Sequence, residues 1–144
     1  MRGFVVLLLA GLAGLAGLAP PAAAADDTPC GAGLDPRHRR SVSSPRHQIV
    51  FAPQPAPWVV GRHFGLDIEV CPKPGASMPL VLRVDADMPA HRHGMNYRPT
   101  VRVMGEGRYR ADGLLLHMPG RWRLMFDVTA DGKLDRLTHE VDLP

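Results

Sequence analysis

From Gln48 onward, apolar and polar residues alternate with a period of two, the pattern of half-buried strands. Phe64, Leu66, Ile68 and Val70 alternate with Gly65, Asp67, Glu69 and Cys71. Leu80, Leu82, Val84 and Ala86 alternate with Val81, Arg83, Asp85 and Asp87, and this second strand runs straight into Met88. Val101 and Val103 flank Arg102, and Trp122, Leu124, Phe126 and Val128 alternate with Arg121, Arg123, Met125 and Asp127. Ile49-Val50-Phe51 is a short apolar run bounded by Pro53, Pro55 and Pro57; residues 114–116 lead into His117-Met118, and a last strand is predicted around 137–143. Gly105-Glu106-Gly107 and Asp131-Gly132 read as hairpin turns. No window keeps a 3.6-residue apolar period, and 15 prolines with 15 glycines weigh against long helices. The pattern predicts an all-β, immunoglobulin-like antiparallel β-sandwich of about seven strands over 48–144. The tyrosine corner and Cys…Trp…Cys spacing of antibody domains are absent, so the expectation concerns architecture and not that family.

Residues 1–25 read as a signal peptide. Arg2 is the positive start, an apolar stretch follows from Phe4 to Ala19, and Pro20-Pro21 with alanines to Ala25 forms a small-residue cleavage pattern before Asp26. This predicts a periplasmic or secreted protein with no stable membrane insertion after cleavage. Residues 26–47 read as a flexible Ser/Pro-rich arm carrying Arg37, His38, Arg39 and Arg40. Export makes a disulfide between Cys30 and Cys71 the default, closing a loop of about 40 residues worth about 3–4 kcal/mol. Copper–thiolate chemistry at the same pair is the alternative, without a C-x-x-C to support it. The net charge is only +3, and loss of Arg2 lowers it by one; with no DNA- or RNA-binding motif, nucleic acid is not an expected partner.

The chemistry concentrates in Met88-Pro89-Ala90-His91-Arg92-His93-Gly94-Met95, followed by His117-Met118-Pro119-Gly120. In an extended segment His91, His93 and Met95 face one way, so two nitrogens and a sulfur could converge on one ion. Met88, Met118 and His117 are the candidates to complete or shield it. Thioethers select Cu(I), and imidazole suits copper and zinc, so the mixed set points to copper before zinc. Zinc would prefer His91, His93 and His117 with a carboxylate such as Asp87. Imidazole ligands must be neutral, so affinity falls as the pH drops through the imidazole range. The plainer alternative makes the methionines gap fillers at strand ends and the histidines loop caps. His38, His47 and His139 each stand alone and read as structural, while His63 opens a strand and could approach the site.

Enzymatic turnover is not expected. There is no Gly-x-Ser-x-Gly elbow, and Gly105-x-Gly107 lacks the third glycine and following helix of a dinucleotide fold. Arg102, Arg108, Arg110, Arg121 and Arg123 fall on outward parities and could build one basic sheet face, a soluble exterior or a docking face for an acidic partner or membrane headgroups.

Taken together, Met88-Pro89, His91-x-His93-Gly94-Met95, Pro99-x-Val101, Gly105-x-Gly107-x-Tyr109, Leu114 to Leu116, Met118-x-Gly120-x-Trp122 and Leu124-x-Phe126-x-Val128 resemble the YtkA-like domain. It is related to the periplasmic part of FixH-type proteins, and the resemblance covers roughly 60 to 143. It implies an exported or membrane-attached β-sandwich, a setting of copper handling, and a protein partner in that handling or in respiratory oxidase assembly. The matching positions are Met88, His91, His93, Met95 and Met118. His91 stands where this loop often carries another residue, and FixH-type proteins keep a membrane anchor where this chain has an apolar segment that reads as cleavable.

Overall fold

Among residues 28–144, which the computed structural model describes, nine strands form. The expected signal peptide lies outside the described residues. The strands are β1 (Arg40–Ser43), β2 (His47–Gln54), β3 (His63–Pro72), β4 (Val81–Met88), β5 (His93–Gly94), β6 (Thr100–Gly105), β7 (Arg108–Leu115), β8 (Gly120–Ala130) and β9 (Lys133–Leu143). They make two antiparallel sheets, ordered β1-β2-β3-β7-β6 and β5-β4-β8-β9. The expected sandwich is present, with nine strands in place of seven. β1 and β5, four and two residues long, are too short for alternation to reveal.

The core lies between the sheets and follows the period of two. Trp122, Leu124, Phe126 and Val128 of β8 are fully buried, as are Leu66, Ile68 and Val70 of β3 to within a few per cent. Phe51 and Phe126 meet across the sheets with ring centroids 4.8 Å apart. Asp131 and Gly132, at φ 53° and 67°, adopt the left-handed pair that a two-residue hairpin requires, so β9 starts at once and is longer than expected. Leu80 and Val103 fit the alternation but not the burial: they are 79% and 73% exposed.

β2 departs the other way, with Val50 and Ala52 buried although they face outward. Val50 is covered by the segment before β1. Gly31, at φ 77°, sits so close to Val50 that any side chain there would collide with it. Cys30 and Cys71 form the expected disulfide, Cα to Cα 6.1 Å, and the Arg39 guanidinium donates to the Gly31 carbonyl at 2.9 Å. The stretch 26–47 therefore includes β1 and a disulfide-held cover over β2. Such a disulfide fits a non-reducing environment. No helix among the described residues is long and apolar enough to cross a membrane.

The single basic face does not form. Arg102, Arg108 and Arg110 lie on the five-stranded sheet, whereas Arg121 and Arg123 lie on the other. Most are also matched by carboxylates: Arg102 with Asp112, Arg110 with Asp67 and Asp112, Arg121 with Asp142, Arg123 with Asp87. The Arg110 clamp depends on Gly65, where β3 bulges against β7. A Cβ at Gly65 would strike the Arg110 guanidinium and come within 2.8 Å of the Ala111 carbonyl oxygen. Gly65→Ala is expected to cost about 1–3 kcal/mol, the usual penalty of overpacking, read as a lowered urea midpoint at unchanged slope. A wild-type midpoint would show that the guanidinium moves away freely.

One buried polar group lies at the far end from the histidine-rich loop. His47 is fully buried at the start of β2. Its Nδ1 lies 2.7 Å from Asp135 Oδ2 and its Nε2 3.1 Å from the Ser77 carbonyl oxygen. The Ser44 hydroxyl donates to the same Asp135 oxygen at 2.6 Å and accepts from the His47 backbone N–H at 2.9 Å. Three segments distant in sequence are thereby tied together.

Candidate metal centre

The β4–β5 hairpin explains why His93 reaches the core end. Met88 is paired directly with His93, and facing residues of antiparallel strands share a sheet face. Met88 points inward and is 1% exposed, so His93 also turns toward the sandwich interior and is half-buried. Between them Pro89–His91 form a 3₁₀ turn, and Arg92 takes a left-handed conformation at φ 56°. The extended geometry expected for His91, His93 and Met95 is therefore broken at Arg92, and the shared-face derivation fails there. His91 is exposed, although its ring centroid remains 5.8 Å from that of His93.

The loop from β7 to β8 brings in the second pair. The rings of His93 and His117 stack at 5.3 Å, and both meet the buried Trp122 edge-on, at 5.8 and 5.3 Å. Trp122 is fixed in turn by its indole N–H, which donates to the Met118 carbonyl oxygen at 2.9 Å. Gly120, at φ 116°, leaves room for the Met88 methyl, which would lie 3.0 Å from a Cβ there. Met95 and Met118 are partly buried against the core. Met95 is held by its own backbone N–H, which donates to the Ala86 carbonyl at 3.1 Å. All six candidate residues thus sit at one end of the sandwich, with His93 and His117 in direct contact and His91 at the solvent edge.

Two features bear on metal fit. The Nδ1 of His117 is buried and has no hydrogen-bond partner, although buried ring nitrogens normally find one. His93 Nδ1 donates to the Gly94 carbonyl at 3.2 Å, which leaves the Nε2 lone pair available. With Met88, Met95 and Met118 at the same end of the sandwich, the donor types present are those that suit copper. The zinc set fits less well, because both oxygens of Asp87 are engaged by Arg123 at 3.0 and 2.6 Å. Among the described residues, the only three His, Cys, Asp or Glu side chains with ligand atoms drawn within 4.8 Å of one another are Cys30, Glu69 and Cys71, and there the sulfurs are bonded to each other.

Trp122 was not a site candidate from sequence, although its inward parity and its position four residues after Met118 were readable. The His63 ring lies 5.1 Å from that of Tyr97, in the segment that carries Met95. His139 instead lies along the core, 5.2 Å from Phe51, and burial pushes its imidazole below the ordinary value. Comparison with known proteins found no matching family model, no matching curated protein and no matching solved structure.

Proposed function

We propose that this chain is an exported, non-enzymatic β-sandwich that binds a copper ion at its His/Met end and buffers or delivers it. The observation that carries this reading is the buried, unpartnered Nδ1 of His117, whose ring is stacked on that of His93. A buried ring nitrogen left without a partner is costly unless something occupies it. His93 and His117 would be the nitrogen ligands, Met88, Met95 and Met118 the thioether candidates, and His91 the solvent-side residue that receives or releases the ion. Thioethers would favour Cu(I), a soft ion, and the setting implied by the resemblance to YtkA-like domains agrees with copper handling. Bound copper would be held, not turned over.

The test is a Cu(I) competition titration against a chromogenic chelator, using the chain from Asp26. A His93→Gln/His117→Gln variant is compared with the parent, and His139→Gln serves as the control. One ion per chain is expected, with affinity lowered at least 100-fold in the double variant and unchanged in the control. Emission from Trp122 should be quenched on binding, because both imidazoles touch its ring. Equal and weak binding by all three proteins would remove copper from the account, and tight binding of Zn(II) alone would replace it with zinc.

A further inference from the structure

One side of the sandwich is left open. β5 pairs only with Asp87 and Met88, so the stretch of β4 from Val81 to Ala86 has no neighbouring strand on that side. β6, the outermost strand of the other sheet, flanks the same opening. The Ala86 carbonyl faces this side, since it accepts from Met95 N–H. By alternation along a strand, Val84 and Leu82 turn their backbone N–H and C=O the same way. Beyond Met95 the chain overhangs this edge and encloses a groove of about 800 Å³, walled by Leu82, Val84, Tyr97, Arg98 and Val101 among others. Of the exposed large apolar side chains, Tyr97 lines the groove itself, while Val81 lies on β4 and Val103 and Met104 on β6, the two strands that flank it.

The charges of the groove are unbalanced. Arg123 with Asp87 and Arg136 with Asp127 neutralise each other. Asp85 also lines the groove and keeps its negative charge, with one oxygen accepting from the Ala86 backbone N–H, so the lining carries one positive charge in excess. Arg83 and Arg98 also line the groove, and neither has a carboxylate partner among the described residues. Natural sheets usually cover or blunt such an edge, because unpaired N–H and C=O groups with apolar flanks recruit another strand.

We propose that this groove receives an extended, acidic segment of a partner protein, which adds to β4 as a strand. Main-chain hydrogen bonds to Leu82 and Val84 supply the attachment, apolar side chains meet Tyr97 and Val101, and carboxylates meet Arg83 and Arg98. The docking site abuts Met95 and so lies beside the His93–His117 pair, but it does not depend on copper being bound there.

The probe is a fluorescent peptide of ten residues alternating valine with glutamate, titrated onto the metal-free chain from Asp26. Its counterpart alternates valine with lysine. The acidic peptide is expected to bind at least tenfold more tightly, to slow amide exchange at Leu82 and Val84, and to lose at least tenfold in affinity with Arg83→Glu/Arg98→Glu. Both arginines are surface residues, and unchanged thermal unfolding of the variant will show that it folds. Equal binding of the two peptides, no binding at millimolar concentration, or protection confined to β6 would overturn the proposal. So would sedimentation showing that a second copy of the chain already fills the edge.

Discussion

His47→Leu is expected to destabilise the protein by about 3–5 kcal/mol, the range for breaking a buried pair by removing one partner. Both ring nitrogens of His47 face acceptors, the Asp135 carboxylate and the Ser77 carbonyl, so both contacts are hydrogen bonds only when the ring carries two protons. The side chain is fully buried and that of Asp135 is 13% exposed, so solvent screens the pair little. Leucine would leave the carboxylate with Ser44 alone and the Ser77 carbonyl with no donor. The turn before β2, the segment before β4 and the β8–β9 hairpin would lose their common tie. A His47→Leu/Asp135→Leu double variant should recover a large part of the loss, because no uncompensated charge then remains. Chemical denaturation of the two variants decides the matter: a single-variant loss below about 1 kcal/mol would mean that the pair holds nothing together.

The same pair sets the acid limb of stability. Burial alone would raise Asp135, but the hydrogen bonds from Ser44 and His47, aided by the His47 and Arg46 charges, outweigh it and hold the carboxyl below its ordinary value. A carboxyl that is more acidic in the folded chain stabilises the fold above its unfolded value of about 3.9. That contribution is lost as the pH falls through the lower folded value. Asp135→Asn should therefore be less stable than the parent at neutral pH and should converge with it on acidification.

What the sequence makes legible here follows from distance along the chain. The alternation in β3, β4 and β8 is local, and it places Leu66, Val84 and Phe126 in the core correctly. The Asp131-Gly132 turn is equally local. His47, by contrast, stands 88 residues from Asp135, and no window of sequence contains both, so it passed for an isolated structural histidine. The arginines fail for the same reason: parity puts Arg102 and Arg123 outside, but only the strand order shows that they belong to opposite sheets. At the candidate metal centre, composition brought His91, His93, Met95, Met88, His117 and Met118 to notice, while the extended geometry assigned to them did not survive. Arg92 takes a left-handed turn, a single-residue event with no glycine to announce it. His93 gains its inward position from pairing with Met88, and its partner there is His117 and not His91.

Removal of the disulfide, as Cys30→Ser/Cys71→Ser, is expected to cost about 4 kcal/mol and to lower the melting temperature by roughly 15 °C. The bridge spans 41 residues, and the chain-entropy gain from closing a loop of that length falls between the values for 15 and 100 residues. The native state loses something as well, because the bridge holds the Gly31 segment over Val50, which faces outward from β2 and is buried. Arg39, donating to the Gly31 carbonyl, is a single surface-side hydrogen bond and is too weak to keep the segment down alone. The loss should thus have two parts that separate experimentally. Amide exchange at residues 28–39 should rise before global unfolding begins, and limited proteolysis should cut there first. A variant that melts lower but keeps 28–39 protected would assign the whole effect to the unfolded chain. One that exposes the segment at an unchanged melting temperature would show that the cover over β2 contributes nothing to the core beneath it.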